Sequence, residues 1–197
     1  MRWLRRKAST KGGNWEEWWN ARTEAMRVIL GPMDDMVVHA VIPFDFGFEA
    51  GGLADVISFS GYLDGIVHAT SELIGRDAQI PNDLGNYELM ICFRKRDEWG
   101  PNLLSRLAYY TRDARLNPRE TMELGSFSPE GSTLAGLLFY KFATFRVRDR
   151  NAGLLPCLGI TQAEMEACMG GKTDHVIQRL KEAGIYPYTD FERPSVI

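Results

Sequence analysis

The feature that most constrains the fold of this chain is a strand pattern followed, after a short charged turn, by a helix pattern. In residues 87–94, apolar side chains occupy every second position, which is the period of a β-strand with one face committed to a core. From Pro101 to about Arg115, apolar residues recur on one helix face, and proline suits a first helical turn. The sequence therefore predicts a strand that leads directly into an amphipathic helix.

Another amphipathic helix is predicted near the start of the chain. Asn14 is a good N-cap, and Glu16 and Glu17 complement the positive end of the helix dipole. Gly31, followed by proline, ends the pattern. The buried face is expected to carry Trp15, Trp18, Trp19, Arg22, Met26 and Ile29. We interpret the indoles as core anchors rather than a ligand cage, with Trp19 partly exposed.

Strand patterns outnumber helix patterns in the rest of the chain. They predict strands at residues 36–42, 54–59, 65–70, 87–94, 133–140, 144–147 and 154–160. Asp64-Gly65 indicates a hairpin turn, and Thr161 with Glu164 indicates a capping box for a short helix, followed by another helix at 173–183. The expected fold class is α+β: a single domain with a mixed, mostly antiparallel sheet flanked by helices.

Size and composition suit one domain. The 197 residues are 45% apolar and 11% aromatic, enough to bury a large core, and we find no internal repeat. We assign residues 14–197 to this domain and interpret residues 1–13 as a flexible basic tail. The tail's apolar run is too short for a secretory signal or a spanning helix, and a weak membrane-surface contact is the alternative. Its basic residues are Arg2, Arg5, Arg6, Lys7 and Lys11.

Charge and cysteine content narrow the possible partners and compartment. The net charge is −3, so the chain lacks the excess of basic residues that nucleic-acid binding needs, and no nucleic-acid partner is expected. Because the apolar run in the tail is too short to span a membrane, no stable membrane insertion is expected either. The cysteines are odd in number and match no zinc spacing, which predicts reduced thiols and a cytoplasmic protein. They are Cys92, Cys157 and Cys168. We expect a monomer or a weak homodimer.

No residue pattern is typical of a catalytic, metal or cofactor site. His39 and His68 occupy central places in two predicted strands, but no third metal ligand follows from the spacing. No serine lies in a nucleophile elbow. Residues 170–173 lack the other glycines of a phosphate loop and are explained as a helix end, with weak anion binding as the alternative. We therefore expect no enzyme and no cofactor; the rival hypothesis is a small-molecule hydrolase that uses a strand histidine and a carboxylate.

Carboxylates cluster in sequence around the first predicted strands. They form either a solvated acidic face or an acidic groove for a basic partner, and the sequence leaves both interpretations open. The clustered residues are Asp34, Asp35, Asp45, Glu49, Asp55 and Glu72.

Several of these segments, in their order and spacing, resemble the suppressor-of-fused family. The resemblance extends from about residue 31 to 196 and is carried by residues 70–73, 87–94, 104–110, 158–160 and 189–193. It implies a non-catalytic module that binds another protein. Animal members carry an additional C-terminal domain and hold a transcription-factor peptide, whereas this chain is similar to the compact bacterial form. Some bacterial members are thought to be immunity proteins against polymorphic toxins.

The resemblance also implies a partner-binding surface. In the animal pattern, the helix after the strand contributes a tyrosine and the next loop an acidic residue, which correspond here to Tyr110 and Glu120. We add Arg119, because an aromatic residue among charged groups is typical of interfaces. The alternatives are that Tyr110 belongs to the buried stripe of its helix and that Glu120 caps a turn. Asp190 and Arg193 are expected to form a structural ion pair or to bond nearby backbone.

Overall fold

The computed structural model describes residues 15–35, 37–75 and 77–197. Within these ranges the helices are α1 (Trp15–Leu30), α2 (Trp99–Asp113), α3 (Gln162–Met169) and α4 (Thr173–Glu182). The strands are β1 (Val37–Val38), β2 (Val56–Phe59), β3 (Ile66–Thr70), β4 (Asn86–Phe93), β5 (Thr121–Glu123), β6 (Leu134–Phe139), β7 (Ala143–Val147) and β8 (Arg150–Thr161). The predictions of a flexible tail at residues 1–13 and of an N-cap at Asn14 fall outside the described residues.

The strands form one mixed sheet. Its order is β1-β2-β3-β4-β8-β6-β5, and β7 pairs with β8 outside this path. Every neighbouring pair is antiparallel except β4 and β8, which are parallel. The expected α+β fold with a mostly antiparallel sheet flanked by helices is confirmed.

Strand β4 lies at the centre of the sheet and is covered on both faces. All eight of its residues are buried, because α2 packs on one face and α1 on the other. Leu89 and Ile91 contact the α2 side, whereas Met90 and Cys92 contact the α1 side. The sequence pattern predicts that only one face of this strand is buried. The structure buries the second face as well, because Met90 and Cys92 on that face are also apolar.

A buried polar cluster fastens α1 to the sheet. The carboxylate of Glu88 accepts hydrogen bonds from the backbone nitrogens of Leu73 and Ile74 and from the hydroxyl of Thr70, at 2.6–2.9 Å. Arg22 lies 3.5 Å from the same carboxylate and donates to the carbonyl of Ile74 at 2.7 Å. Burial raises the pKa of Glu88, and these partners offset the effect only in part.

A second buried ion pair holds the end of the chain. Thr161 and Glu164 form the predicted capping box at the start of α3. Arg193 donates to both oxygens of Glu164, at 2.6 and 2.5 Å, and also bonds the carbonyl of Gly159. Of the two expectations for Asp190 and Arg193, bonding to nearby backbone is confirmed: Asp190 accepts from the nitrogen of Glu192, and Arg193 also donates to the carbonyl of Pro194.

Two predictions for the start of the chain need correction. A strand is expected at 36–42, but among the described residues 37–42 only Val37 and Val38 pair with β2. The chain then leaves the sheet, and the nitrogen of Ala40 bonds the side chain of Asp55. Trp15 is no core anchor: 49% of it is exposed, and it stacks on Trp19 at 5.5 Å. Trp19 is partly buried, as expected.

In the described ranges, no helix is both long and apolar enough to cross a membrane. The three cysteines are free and buried, which agrees with reduced thiols. Burial raises the pKa of the Cys92 thiol to about 12, so it is poorly reactive.

Candidate functional site

An apolar groove of about 270 Å³ lies between α2 and the β5 end of the sheet. Its wall on the helix side is one face of α2, and its other wall is β5 with the short 3-10 helix that follows. The lining residues are Leu103, Arg106, Leu107, Tyr110, Met122, Glu123, Leu124, Phe127 and Leu137. We call this feature the α2–β5 groove.

Tyr110 and Phe127 project from opposite walls of the α2–β5 groove. Their exposed fractions are 47% and 49%, large values for aromatic side chains. The preceding residue, Tyr109, lies on the other side of the helix, where it packs 4.3 Å from the ring of Phe44 and donates a hydrogen bond to its carbonyl. Helical geometry therefore sends one tyrosine into the core and leaves the next one in the groove.

The groove wall opposite α2 is held firmly. The indole nitrogen of Trp99 donates to the carbonyl of Phe127 at 2.8 Å, and the guanidinium of Arg106 lies 5.7 Å from the Phe127 ring. Trp99 itself packs edge-on against Phe191. The exposed ring of Phe127 is thus presented at a fixed position beside the core.

Strand β5 is the edge of the sheet on this side. Its pairing places Met122 opposite Leu137, and the flanking backbone bonds join Glu120 to Phe139 and Leu124 to Ala135. Since backbone groups alternate in direction along an antiparallel strand, Thr121 and Glu123 point their N–H and C=O groups away from β6. In the described part of the chain no strand pairs with that side of β5.

The structure separates the three residues predicted to bind a partner. Tyr110 lines the groove, whereas Arg119 has a φ of +82° and donates to Asp174 of α4 at 2.5 Å. The hydrogen bond to Asp174 raises the pKa of Arg119 and lowers that of Asp174. Glu120 accepts from the backbone and side-chain nitrogens of Asn117 at 2.9 and 2.8 Å. Arg119 and Glu120 therefore take part in a local turn that leads into β5.

Sequence reasoning misses the rest of the groove. Phe127 lies in a turn between Gly- and Pro-containing segments, where a single aromatic residue has no periodic pattern to place it. Residues 121–123 carry no strand prediction, because a three-residue edge strand is too short for a strand pattern. The signal that could have found this surface is an aromatic residue in a polar turn, which is unusual enough to suggest a surface with a role.

A larger cleft, of about 630 Å³, lies between the turn after β4 and the segment after α4. Its arginines connect neighbouring segments of the chain. Arg94 stacks 4.1 Å from the ring of Tyr188 and donates to the carbonyl of Gly184, while Arg96 bonds Asp34 at 3.2 Å. These contacts hold the C-terminal segment to the turn, and we regard the cleft as structural.

The histidines give no support to the hydrolase hypothesis. His39 Nδ1 lies 2.7 Å from Asp55, but the other oxygen of that carboxylate bonds the nitrogen of Ala40, so the pair anchors the segment after β1. His68 is buried, its Nδ1 lies 2.8 Å from the hydroxyl of Ser58, and burial lowers its pKa to about 4. In the described ranges, no three His, Cys, Asp or Glu residues are grouped so as to hold a metal ion.

Comparisons of the sequence and of the structure with known proteins indicate the same family. A family model described as suppressor of fused protein (SUFU) matches residues 62–194, more than half of the chain. A SUFU homologue from Neisseria gonorrhoeae superposes with a TM-score of 0.66 at 17% identity, covering 92% of this chain and 98% of that one. No curated protein matches the chain.

Two further structures share the fold. A chain of the Sufu-Fu complex superposes with a TM-score of 0.64 at 13% identity, covering 92% of this chain and 91% of that one. Drosophila Suppressor of Fused gives 0.63 at 13% identity over 89% of this chain. The chain spans about half (51%) of the length of that Drosophila structure.

Proposed function

Because this chain belongs to the suppressor-of-fused family, we propose that it is a non-catalytic protein-binding module whose contact surface is the α2–β5 groove. The observation that carries the proposal is the combination of two exposed aromatic side chains, Tyr110 and Phe127, with an open strand edge. One of the related structures is a Sufu-Fu complex, which supports a protein as partner.

The groove suits an extended segment of the partner. The outward backbone groups of Thr121 and Glu123 offer hydrogen bonds to an added strand, and such bonds supply affinity in β-strand addition. Apolar side chains of the segment would fill the space between Tyr110 and Phe127, where aromatic anchors contribute most of the binding energy. Arg106 and Glu123 carry opposite charges at the rim and give the groove a polarity that can select the direction of the segment.

Arg119 and Glu120 contribute at the entrance to β5. Their side chains are engaged with Asp174 and Asn117, so their first role is to fix the turn that starts the edge strand. Arg119 remains half exposed beside that turn, and its charge can attract an acidic partner group.

For the identity of the partner, we propose a toxin domain that the protein neutralises in the bacterial cytoplasm. The toxin partner follows from the resemblance to the compact bacterial members, some of which are thought to be immunity proteins. The coverage of almost all of the N. gonorrhoeae homologue supports the compact form, and three buried free cysteines suit a reducing compartment. A regulated cellular protein is the alternative. If a toxin is encoded beside the gene, survival of cells that co-express both proteins would support the toxin partner, and unchanged killing would contradict it.

Photo-crosslinking tests the contact surface whatever the partner is. A benzophenone amino acid is placed at Tyr110 and, as a matched control, at Trp15, which is equally exposed but lies on α1. We expect a covalent adduct with one protein from position 110 and none from position 15. The same adducts from both positions, or none from position 110, would contradict the proposed surface.

Affinity measurements with the captured partner complete the test. Tyr110→Ala is expected to weaken binding by about 30-fold, the size of a 2 kcal/mol hot spot. Trp15→Ala should bind as the parent does. His39→Ala with His68→Ala should also bind normally, whereas an enzyme of the rival type would lose its activity.

A further inference from the structure

Arg106 occupies an unusual position at the rim of the α2–β5 groove. Its side chain is exposed, and its guanidinium lies 5.7 Å from the ring of Phe127. Among the residues that the structure describes, Arg106 makes this ring contact and no ion pair. By contrast, the exposed Arg119, Arg148 and Arg179 each contact a carboxylate. The neighbours of Arg106 one helix turn away on α2 include no acid either; they are Asn102, Leu103, Tyr109 and Tyr110.

The contact with Phe127 holds the guanidinium of Arg106 in place and leaves its hydrogen-bond donors available. The indole of Trp99 bonds the carbonyl of Phe127, so the ring beside that guanidinium has a fixed position. A cation–π contact uses the face of the ring, and the N–H groups at the edge of the guanidinium remain free to meet a planar acceptor. The acceptor that matches their geometry is a carboxylate, bound by two parallel hydrogen bonds. The groove therefore has one charged recognition point beside its apolar lining.

Arg106 lies toward the end of β5 rather than its start. Trp99, in the first turn of α2, bonds Phe127, which follows β5 in the chain. Helix α2 and strand β5 therefore run in opposite directions along the groove. Tyr110, one helix turn after Arg106, faces the start of the strand, while Arg106 faces its end.

The two faces of β5 lie in different surroundings. Met122 pairs with Leu137, which belongs to the core covered by α2. Thr121 pairs with Leu138, which packs on α3. Because side chains alternate along a strand, Met122 is directed toward α2, and Thr121 and Glu123 are directed toward α3. A strand added beside β5 has the same alternation, so side chains two positions apart enter the groove together, and the one between them lies beside Glu123.

We propose, on the basis of the function proposed above, that the α2–β5 groove recognises an extended partner segment with an apolar and an acidic residue two positions apart. The apolar side chain packs between Met122 and Tyr110, and the carboxylate accepts hydrogen bonds from Arg106. A basic or neutral residue between the two suits the carboxylate of Glu123. Arg106 is thus the residue that selects the charge of the partner segment.

Peptide selection on the full-length protein tests this specificity. Random peptides displayed on phage are selected against the parent, Arg106→Glu and Tyr110→Ala. From the parent we expect peptides with an acidic residue two positions from an apolar one. From Arg106→Glu we expect a basic residue in place of the acidic one, because the charge that it meets is reversed.

A synthetic copy of a peptide enriched by the parent measures the contribution of Arg106. Arg106→Glu should weaken its binding about tenfold, and replacing the acidic residue of the peptide by lysine should restore binding to this variant. Restored binding also shows that the variant is folded. Arg146→Glu is the matched control, because it reverses an exposed arginine on β7, and it should bind the peptide as the parent does.

The outcomes separate this inference from the proposed function. Peptides without an acidic preference that still fail to bind Tyr110→Ala would overturn the role of Arg106 and leave the groove as the contact surface. Selection of the same peptides by Arg106→Glu and the parent would overturn that role as well. Peptides that bind the parent and Tyr110→Ala equally, or a selection in which the parent enriches no common pattern, would contradict the proposed surface itself.

Discussion

The centre of the sheet and its β5 edge contain similar residue types in opposite environments, buried at the centre and exposed at the edge. At the centre, tyrosine and phenylalanine side chains are buried: Tyr87 lies within β4, and the ring of Tyr109 packs on Phe44 in the same core. At the edge, Tyr110 and Phe127 remain half exposed beside backbone groups that have no strand partner in the described chain. The comparison shows that the same residue types stabilise the fold where they are covered and offer a binding surface where they are not. Substitutions should therefore affect stability at the centre and affinity at the edge.

The largest effect is expected from breaking the buried pair at the end of the chain. Arg193→Ala leaves the buried carboxylate of Glu164 without its charged partner, which should lower the free energy of unfolding by about 3–5 kcal/mol. Arg179→Ala, which removes an exposed arginine paired with Glu182, should cost less than about 1 kcal/mol. Urea denaturation measures both. Equal midpoints for the two variants would show that the C-terminal segment contributes little.

Tyr109 and Tyr110 of α2 allow the buried and exposed environments to be compared at adjacent positions of one helix. Tyr109→Ala removes a buried ring from its contact with Phe44 and should destabilise the protein by about 3 kcal/mol or more. Tyr110→Ala should change stability by less than about 1 kcal/mol, because its side chain is half exposed. Thermal unfolding followed by circular dichroism distinguishes them, and a large loss of stability for Tyr110→Ala would identify it as a core residue.

A smaller effect is expected at the start of α1. Trp15→Ala should cost about 1 kcal/mol or less, since half of the indole is exposed, whereas Met26→Ala should cost about 2–5 kcal/mol. Chemical denaturation of the two variants measures the difference. A cost of about 3 kcal/mol for Trp15→Ala would restore the indole as a core anchor.

The pH dependence of stability reports on Glu164. Burial raises the pKa of this carboxyl, but hydrogen bonds from Arg193 and from the backbone of Thr161 and Val196 outweigh burial and hold the pKa below its usual 4.5. A folded-state pKa below the unfolded value means that the stabilisation is present above pH 4.5 and is lost as the pH falls toward the folded-state value.

Glu164→Gln should therefore flatten the decline of unfolding free energy below pH 4.5, measured as a series of denaturation midpoints. Glu182→Gln is the control, because Glu182 is exposed and its contacts are screened by water. If the unfolding free energy of Glu164→Gln falls as steeply below pH 4.5 as that of the parent, other carboxyls control the acid dependence.

Most of the fold could be predicted from local signals. The pattern at 87–94, the helix after Pro101 and the capping box at Thr161 each depend on neighbours in sequence, and the structure confirms all three. The pair of Glu164 and Arg193 joins residues 29 positions apart, so no local pattern could identify it.

The groove could be predicted only in part. The resemblance to the suppressor-of-fused family singles out Tyr110, which lines it. Phe127 lies 17 positions further along the chain and is placed by the indole of Trp99, and β5 exists because β6 pairs with it. Both depend on tertiary contacts, which a pattern of adjacent residues does not contain.

Amide hydrogen exchange at β5, measured with and without the captured partner, tests the central claim most directly. If the partner adds a strand to the open edge, the amides of Thr121 and Glu123 should exchange rapidly in the free protein and become protected in the complex. The amide of Met122 pairs with Leu137 and should be slow in both states. Unchanged exchange at Thr121 and Glu123 on binding would contradict the account.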